Sequence, residues 1–347
     1  MLGKKSILKK LLFWLNLVFA LFLVLSIAVK HISAINFTFL SLLSLTVPFF
    51  VVGNGLFLIY WLLGKNRKAL VSGLALFLGF LFLGPVFRIG THQSDGDSKG
   101  ISLMTFNVRG FNEFNQLDIP DIDSLIVDFI ETENPDILCL QEAPHILKSH
   151  KSKLLLNYDY KYIDYVYGEP TNRVILGIYS KYPILDNQII DFPKSHNSAM
   201  FSDILIGSDT LRLFNIHLES FKIRPEVRTI QKANSNKLFV RLNKVVAKQL
   251  EQAEILEEHL NATALPKIVV GDFNNTQFSN VYQTIKGDMS DTFLEKGKGF
   301  GKTYSLLNYP MRIDYILTDD SFDIIDHKNF DVKLSDHYPV QAILRLE

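Results

Sequence analysis

The sequence contains little cysteine, and its first quarter contains no acidic residue. The single cysteine among 347 residues, Cys139, excludes a disulfide framework and a cysteine-rich zinc site. Residues 1–90 hold nine lysines and arginines and neither aspartate nor glutamate. Subtracting those nine from the chain's 36 basic residues leaves 27 against 36 acidic residues in 91–347, a net charge of −9. This segregation excludes a single soluble domain, and a hydrophobic content of 48% excludes intrinsic disorder.

Three stretches of the first quarter lack charge altogether: 11–29, the apolar part of 37–63, and 69–87. A helix needs about 20 apolar residues to cross the hydrocarbon core of a bilayer, so we predict three transmembrane helices within residues 1–90. The alternatives are a cleaved signal peptide for the first stretch and a re-entrant hairpin for the other two. The first apolar run is longer than a typical signal core.

The basic residues of this region predict its orientation, because lysine and arginine are retained on the cytoplasmic side. Four lysines precede the first stretch and three basic residues lie in 64–68, against one lysine in 30–35. We therefore expect a multi-pass protein of the cytoplasmic (inner) membrane, with its N-terminus inside and everything after 87 outside, periplasmic or extracellular. Residues 91–100 are polar and are typical of a linker.

Residues 101–347 are expected to form one globular domain of alternating strands and helices. The helix candidates are 121–132 and a long helix within 234–260. The strand candidates are 101–106, 137–140, 160–167, 174–179, 200–206, 211–216, 267–270, 312–317 and 340–346. Strands outnumber helices, which favours an α/β fold with two packed mixed β-sheets flanked by helices.

Polar residues interrupt the apolar strands near their ends. Binding and catalytic residues often lie there, on loops that a rigid scaffold positions. They are carboxylates, amides and imidazoles: Asn107, Glu142, His217, Asp272, Asn274, Asp314, Asp336 and His337. The chain has no serine–histidine elbow and no phosphate-cradling glycine loop around them. Taken singly, each has a plain structural interpretation as a turn former, a buried paired acid or a core histidine.

Together these residue types suit metal-assisted hydrolysis of a phosphate ester. A hard divalent cation neutralises the anionic ester and stabilises the leaving oxygen. Magnesium takes oxygen ligands and needs only one or two protein carboxylates. An aspartate beside a histidine supplies a general base, because the carboxylate fixes the imidazole tautomer.

In this order the segments L-Q-E, G-D-F-N, R-I-D-Y and S-D-H resemble the endonuclease/exonuclease/phosphatase superfamily, with its deoxyribonuclease I-like fold. The resemblance covers nearly all of 101–347 and none of the apolar region. It implies a four-layer sandwich and a hydrolase of phosphodiester or phosphomonoester bonds. It also implies Mg²⁺ as the cofactor, with Mn²⁺ as the alternative ion.

Carried over position by position, the resemblance gives Glu142 the role of principal metal carboxylate, with Asn107 beside it. Asp336 would assist the metal or the base. Asp272 would orient or activate the attacking water, and Asn274 would bind the scissile phosphate or the metal.

The remaining roles concern proton transfer. The resemblance implies that Asp314 pairs with His337 as the base. It also implies that His217 donates to a phosphate oxygen or protonates the leaving group. His217 matches the nuclease, sphingomyelinase and inositol-phosphatase branches better than the abasic-site repair branch.

The substrate stays open between a nucleic acid and a phospholipid headgroup. Net acidity of the domain gives little attraction to a nucleic-acid backbone, but residues 222–248 hold eight basic side chains and one acid. This basic segment could steer an anionic polymer or lie on anionic headgroups; the alternative is a solvated helix face. The expected partners are an anionic phosphate ester and the lipid bilayer, and no protein partner follows from the sequence. A membrane-anchored binding module without activity, or a structural membrane protein, would leave the filled site positions unexplained.

Overall fold

A computed structural model describes residues 2–29, 38–90, 100–112, 117–143, 157–164, 173–222, 235–306 and 309–347. The predicted linker 91–100 lies outside these residues except for Gly100. Residues 223–234 of the basic segment also lie outside them. Contacts divide the chain into two compact units. Unit 1 comprises Met1–Val86, Leu238–Leu250 and Asn275–Gln283, and unit 2 comprises Phe87–Lys237, Glu251–Asn274 and Thr284–Glu347.

The apolar region of unit 1 is helical. Its elements are α1 (Leu2–Val29), α2 (Thr38–Ser41), a 3₁₀ turn (Leu42–Thr46), α3 (Val47–Leu63) and α4 (Ala69–Leu83). Two continuous helical stretches, Ser6–Val29 and Leu42–Leu63, are long and apolar enough to cross a membrane. Helix α4 ends earlier than the predicted stretch 69–87, because Gly84 takes a φ of 83° and Pro85 follows it. At 15 residues it is about 22 Å long, so a third crossing stays a prediction.

The helices of unit 1 place polar groups inside and apolar groups outside. Asn16 of α1 donates to the Ser72 hydroxyl of α4 at 2.6 Å and accepts from the Trp61 indole of α3 at 3.0 Å. All three side chains are buried. Large apolar side chains such as Trp14 and Leu70 are exposed by 67% and 72%. This inverted distribution is typical of helices surrounded by lipid, where interhelical hydrogen bonds and small residues hold the bundle together.

Two glycines of α3 offer a test of this packing. A Cβ atom at Gly53 would lie 2.2 Å from the ring of Phe19, whereas a Cβ at Gly55 would meet nothing within 4 Å. Phe19 is itself packed against the rings of Phe49 and Phe50, so a shift of its ring would disturb both contacts. Overpacking of this kind costs typically about 1–3 kcal/mol. We expect Gly53→Ala to lower the thermal midpoint of the detergent-solubilised protein by several degrees, and Gly55→Ala to leave it unchanged; equal effects would contradict the packing described.

Unit 2 is built on two mixed β-sheets. Its strands are β1 (Ile101–Asn107), β2 (Ile137–Gln141), β3 (Tyr160–Ile163), β4 (Gly177–Ser180), β5 (Ile184–Asp191), β6 (Ser198–Ile206), β7 (Asp209–His217), β8 (Lys267–Asp272), β9 (Ser290–Asp291), β10 (Tyr304–Leu306), β11 (Tyr309–Met311), β12 (Asp314–Thr318), β13 (Phe322–Asn329) and β14 (Val340–Leu346). The first sheet has the order β13-β14-β1-β2-β4-β3 and the second β5-β6-β7-β8-β12-β9, while β10 and β11 form a separate pair.

Side chains of alternating strand positions form the core between the sheets. Leu103 of β1 and Cys139 of β2 point inward and pack in one cluster with Leu213 of β7 and Val270 of β8. The intervening positions of β1 and β2 pack on α5 (Ile122–Glu133) in a second cluster. Further helices are α6 (Ser235–Asn261), α7 (Asn280–Lys286) and α8 (Thr292–Lys296). The prediction of two packed mixed sheets flanked by helices is confirmed.

The strands missed by sequence patterning are mainly polar edge strands. β13 is an edge strand of the first sheet and β5 of the second. The middle of β5 is exposed on both faces. A strand that is solvated on both faces has no hydrophobic alternation to detect. β9, β10 and β11 are too short, at two or three residues, to show a pattern.

Candidate active site

The inner faces of both sheets change from apolar to polar at one end. Parallel pairing of β1 with β2 sets Asn107 opposite Gln141, and parallel pairing of β7 with β8 sets His217 opposite Asp272. Antiparallel pairing of β8 with β12 sets Asp314 opposite the same Asp272. These residues occupy the positions that continue the inward-facing alternation, so they meet where the hydrophobic core stops.

A layer of neutral polar side chains separates the site from the core. Gln141 donates from Nε2 to Thr105 Oγ1 at 2.9 Å and to Asn215 Oδ1 at 2.7 Å, which links the two sheets. Asn215 donates from Nδ2 to the backbone oxygens of Leu140 and Gly177, each at 3.0 Å. Since all three side chains are buried, these bonds fix the spacing of the sheets beneath the site.

Asp272 lies at the centre of the site. Its Oδ2 accepts from Asn107 Nδ2 at 3.0 Å and from Asn274 Nδ2 at 3.2 Å, and its Oδ1 accepts from the Asn274 backbone N–H at 2.8 Å. The same Oδ2 lies 3.4 Å from His217 Nε2 and 3.6 Å from His337 Nε2. Burial alone would raise the pKa of Asp272, but the two histidines outweigh it and lower the pKa below its usual value.

Asp314 and His337 form the predicted pair. His337 Nδ1 lies 2.9 Å from Asp314 Oδ2 and 3.1 Å from Oδ1, and its Nε2 faces Asp272. Burial raises the pKa of Asp314 to about 6, although His337 opposes the shift. Burial would lower the pKa of His337, but the charges of Asp314 and Asp272 raise it to about 9. Two carboxylates thus share this imidazole, which is oriented through Nδ1.

His217 and Asn274 lie on the opposite side of Asp272. Asn274 Nδ2 donates to the Leu218 backbone oxygen at 3.0 Å and lies 3.4 Å from His217 Nε2. His217 is 3% exposed. Burial would lower its pKa, but hydrogen bonding to Asp272, together with the charge of Glu142, raises the pKa above the ordinary value. The ring is therefore suited to hold a proton beside Asp272.

Glu142 and Asp336 lie nearer the solvent than the other site residues. The Glu142 side chain is 36% exposed, and its Oε1 accepts from Asn107 Nδ2 at 3.1 Å and lies 3.5 Å from His217 Nε2. Glu142 has a φ of 51°, which turns the chain after β2. Asp336 forms an ion pair with Arg109 and accepts from the Ser335 hydroxyl at 3.3 Å. Thus seven of the eight predicted residues form one connected cluster, while the described contacts of Asp336 go to Arg109 and its own loop.

The donor set fits a hard divalent cation. One ligand atom each from Asp272, Asp314 and His337 lies within 4.8 Å of the others. Asn107 connects Glu142 to this group, because its Nδ2 donates to both Asp272 Oδ2 and Glu142 Oε1. Buried carboxylates are costly unless a charge compensates them, and oxygen donors are the ligands that Mg²⁺ prefers. Asn107, Glu142 and Asp272 are the residues that would hold such an ion.

Several residues that shape the site were missed from the sequence. Thr303 accepts at Oγ1 from the backbone N–H groups of Ile313 and Asp314 at 2.9 and 3.0 Å, which fixes the start of β12. The ring of Tyr304 packs on the His337 ring at 5.0 Å. Neither carries a motif, because threonine and tyrosine are common strand residues. Arg109 stands two residues after the predicted Asn107, but its partner Asp336 is 227 residues away.

The fold and this cluster of buried carboxylates and histidines together define a hydrolase of phosphate esters. A family model described as the Endonuclease/Exonuclease/phosphatase family matches residues 104–337, and the chain belongs to this family. A second model, a domain of unknown function designated DUF8431, matches residues 9–86. No curated protein matches the chain. The family that the sequence motifs suggested is confirmed.

Solved structures with the same fold include a humanised TDP2 of D. rerio, with a TM-score of 0.52 and 15% identity over 71% of this chain and 98% of that one. The human Nocturnin catalytic domain aligns with a TM-score of 0.54 and 15% identity over 72% and 95%. An endonuclease/exonuclease/phosphatase from Bacteroides vulgatus aligns with a TM-score of 0.51 and 18% identity over 71% and 99%. Identities this low show the fold alone.

Gly271 tests how tightly β7 and β8 are joined beside the site. Its φ is 127°, and a Cβ there would lie 2.1 Å from the backbone oxygen of Ile216, its partner in the ladder. Gly207 also has a positive φ, at 63°, but has nothing within 4 Å of its Cβ position. We expect Gly271→Ala to destabilise the protein by about 2 kcal/mol more than Gly207→Ala in thermal or urea unfolding, because overpacking adds to backbone strain. Equal effects would mean that the strands separate easily at this point.

Proposed function

We propose that this chain is a membrane-anchored, divalent-metal-dependent phosphoesterase that hydrolyses phosphodiester bonds, and phosphomonoesters as the alternative, by attack of water assisted by an Asp–His base. The observation that carries the proposal is the cluster centred on Asp272, which joins Asn107, His217 and Asn274 to the Asp314–His337 pair. A nuclease-like reaction is consistent with a neighbour of the same fold, a D. rerio TDP2 complexed with a single-stranded DNA product. The DNA product was bound to that neighbour.

Each residue has a role that its contacts support. Asp272 orients the attacking water, and His337, held through Nδ1 by Asp314, accepts the water's proton. The water oxygen bonds to phosphorus, the ester P–O bond breaks, and His217 gives a proton to the departing oxygen. Asn274 donates to a phosphate oxygen without adding negative charge.

Mg²⁺ is the proposed cofactor, with Mn²⁺ as the alternative, held by Glu142, Asn107 and Asp272. When bound, the cation neutralises the phosphate, stabilises the leaving oxygen and offsets the carboxylate charge that raises the pKa of His337. Asp336 is proposed to act on this set indirectly, because its partner Arg109 donates from its backbone N–H to Asn107 Oδ1 at 3.1 Å. Asp336 would thereby position the loop that holds Asn107.

Membrane anchoring is supported by the outward apolar faces of α1, α3 and α4 and by the asymmetry of basic residues in 1–90. We propose a division into a transmembrane region over 1–90, a linker over 91–100 and a catalytic domain over 101–347. The catalytic domain would lie outside the cytoplasmic membrane.

Removing the base or the central carboxylate tests the mechanism. We expect His337→Ala and Asp272→Ala each to lower metal-dependent hydrolysis of bis(p-nitrophenyl) phosphate by about 10²-fold or more, since loss of general acid–base catalysis typically costs roughly 10²–10⁴. Lys161→Glu, an exposed change on β3, serves as the control. Activity within about tenfold of the parent, with the fold intact by circular dichroism, would exclude these roles and favour a non-catalytic binding module.

The orientation is tested with protease added to spheroplasts of a bacterial host that expresses the full chain with a tag at each end. The protease should remove the C-terminal tag and domain, while the N-terminal tag stays protected, because the basic residues hold that end inside. Protection of both tags would place the catalytic domain in the cytoplasm.

A further inference from the structure

A short segment of the chain, directly after the site residue Asn274, belongs to the helical unit. Residues Asn275–Gln283 belong to unit 1 although they directly follow Asp272 and Asn274 in sequence. Within unit 1, Thr276 donates from Oγ1 to the Ser44 backbone oxygen at 3.2 Å, and Gln277 donates from Nε2 to the Pro85 backbone oxygen at 3.0 Å. These two hydrogen bonds attach the segment to the turn before α3 and to the chain just after α4.

Phe278 identifies the end of the bundle to which this segment is attached. It is 4% exposed and packs in one cluster with Leu23 of α1, Val47 of α3 and Leu83 of α4. Leu23 comes late in α1, Val47 begins α3 and Leu83 ends α4, so these side chains mark one end of the bundle, here called the outer end. In the proposed orientation this end faces the outer surface of the membrane.

The covalent chain limits how far the phosphate-binding residue can be from this anchor. Three residues lie between Asn274 and Phe278, and the four Cα-to-Cα steps that join them reach about 14 Å when extended. Asn274 is in turn bound to Asp272 through its backbone N–H at 2.8 Å. Connectivity alone therefore keeps Asn274 within about 14 Å of Phe278.

The first half of α6 adds a basic and apolar surface to the same unit. Residues Leu238–Leu250 belong to unit 1, and Gln249 accepts through Oε1 from Asn275 Nδ2 at 2.8 Å. Arg241 and Lys244 are exposed one turn apart, and Val240, one turn before Lys244, is 53% exposed. Phe239, on another side of the helix, is 50% exposed. Basic residues mixed with exposed aromatic and aliphatic side chains are typical of helices that lie in a membrane interface.

Resting on the phosphoesterase function above, we propose that the substrate is a phosphate ester of a lipid in the same membrane. Residues 238–250 and 275–283, here called the headgroup platform, are the part of the helical unit that would meet the headgroups, and 275–283 directly follow Asn274 in the chain. Arg241 and Lys244 attract anionic headgroups, while Val240, one turn before Lys244, enters the interface. Hydrolysis adds one water: its oxygen bonds to phosphorus, one ester P–O bond breaks, and the released alcohol takes the proton. A soluble nucleic acid is not concentrated by the membrane, and the net charge of −9 over 91–347 gives it little general attraction.

The experiment compares substrates on the full chain in nanodiscs with Mg²⁺. The three substrates are phosphatidylglycerol in the nanodisc, single-stranded DNA in solution, and soluble bis(p-nitrophenyl) phosphate. Release of water-soluble phosphate compounds from the lipid is measured by chromatography. We expect lipid hydrolysis to exceed DNA hydrolysis by at least about tenfold at equal phosphate concentration.

A charge reversal tests the platform separately from the chemistry. Arg241→Glu combined with Lys244→Glu should slow hydrolysis of phosphatidylglycerol by about tenfold and reduce binding to anionic vesicles, since each basic residue near the surface contributes to attraction. Hydrolysis of bis(p-nitrophenyl) phosphate should stay unchanged, because it does not require the surface. Lys161→Glu, an exposed change on β3, should affect neither reaction.

The outcomes separate this inference from the function on which it rests. DNA hydrolysis equal to or faster than lipid hydrolysis, or a charge reversal without effect on the lipid reaction, overturns the inference and leaves the phosphoesterase intact. Hydrolysis of none of the three substrates overturns the phosphoesterase and the inference with it.

Discussion

The site depends on placing two carboxylates, Asp272 and Asp314, in the same buried cluster. Opposite positions on β8 and β12 hold them there, and the sheet register cannot change without moving the core residues behind them. Their mutual repulsion is offset by His337, which is bound to one and faces the other. The raised pKa values of His337 and Asp314 are consequences of this placement. The same excess of negative charge makes the site suitable for a divalent cation.

The cluster forms because the inward-facing rows of both sheets change from apolar to polar residues at the same end. Each inward-facing row begins with aliphatic residues and ends with polar ones, so the core and the site are consecutive parts of the same surface. The layer formed by Thr105, Gln141 and Asn215 separates them, and Gln141 donates to both other side chains and so links the two sheets. A rigid, hydrogen-bonded support of this kind holds catalytic groups in position better than loops alone.

The helical unit contains none of the eight predicted site residues. Its polar contacts point inward, between Asn16, Trp61 and Ser72, and its outer surface is apolar. The segment that follows Asn274 is bound to this unit through Thr276, Gln277 and Phe278. Anchoring and substrate choice would then have a common origin, because a site tied to a bilayer meets lipids at a far higher local concentration than soluble polymers.

The sequence by itself determined the residue types of the site, the family and most central strands. Buried strands such as β1 and β8 carry long apolar runs, and motifs such as G-D-F-N stand directly after them. The edge strands β5 and β13 were missed; in β5, solvation on both faces erases the pattern. Only the tertiary structure decided that Asp336 pairs with Arg109, that Thr303 fixes the start of β12, and that residues 275–283 belong with the helices. Each of these depends on contacts between residues far apart in the chain, which local spacing and composition do not encode.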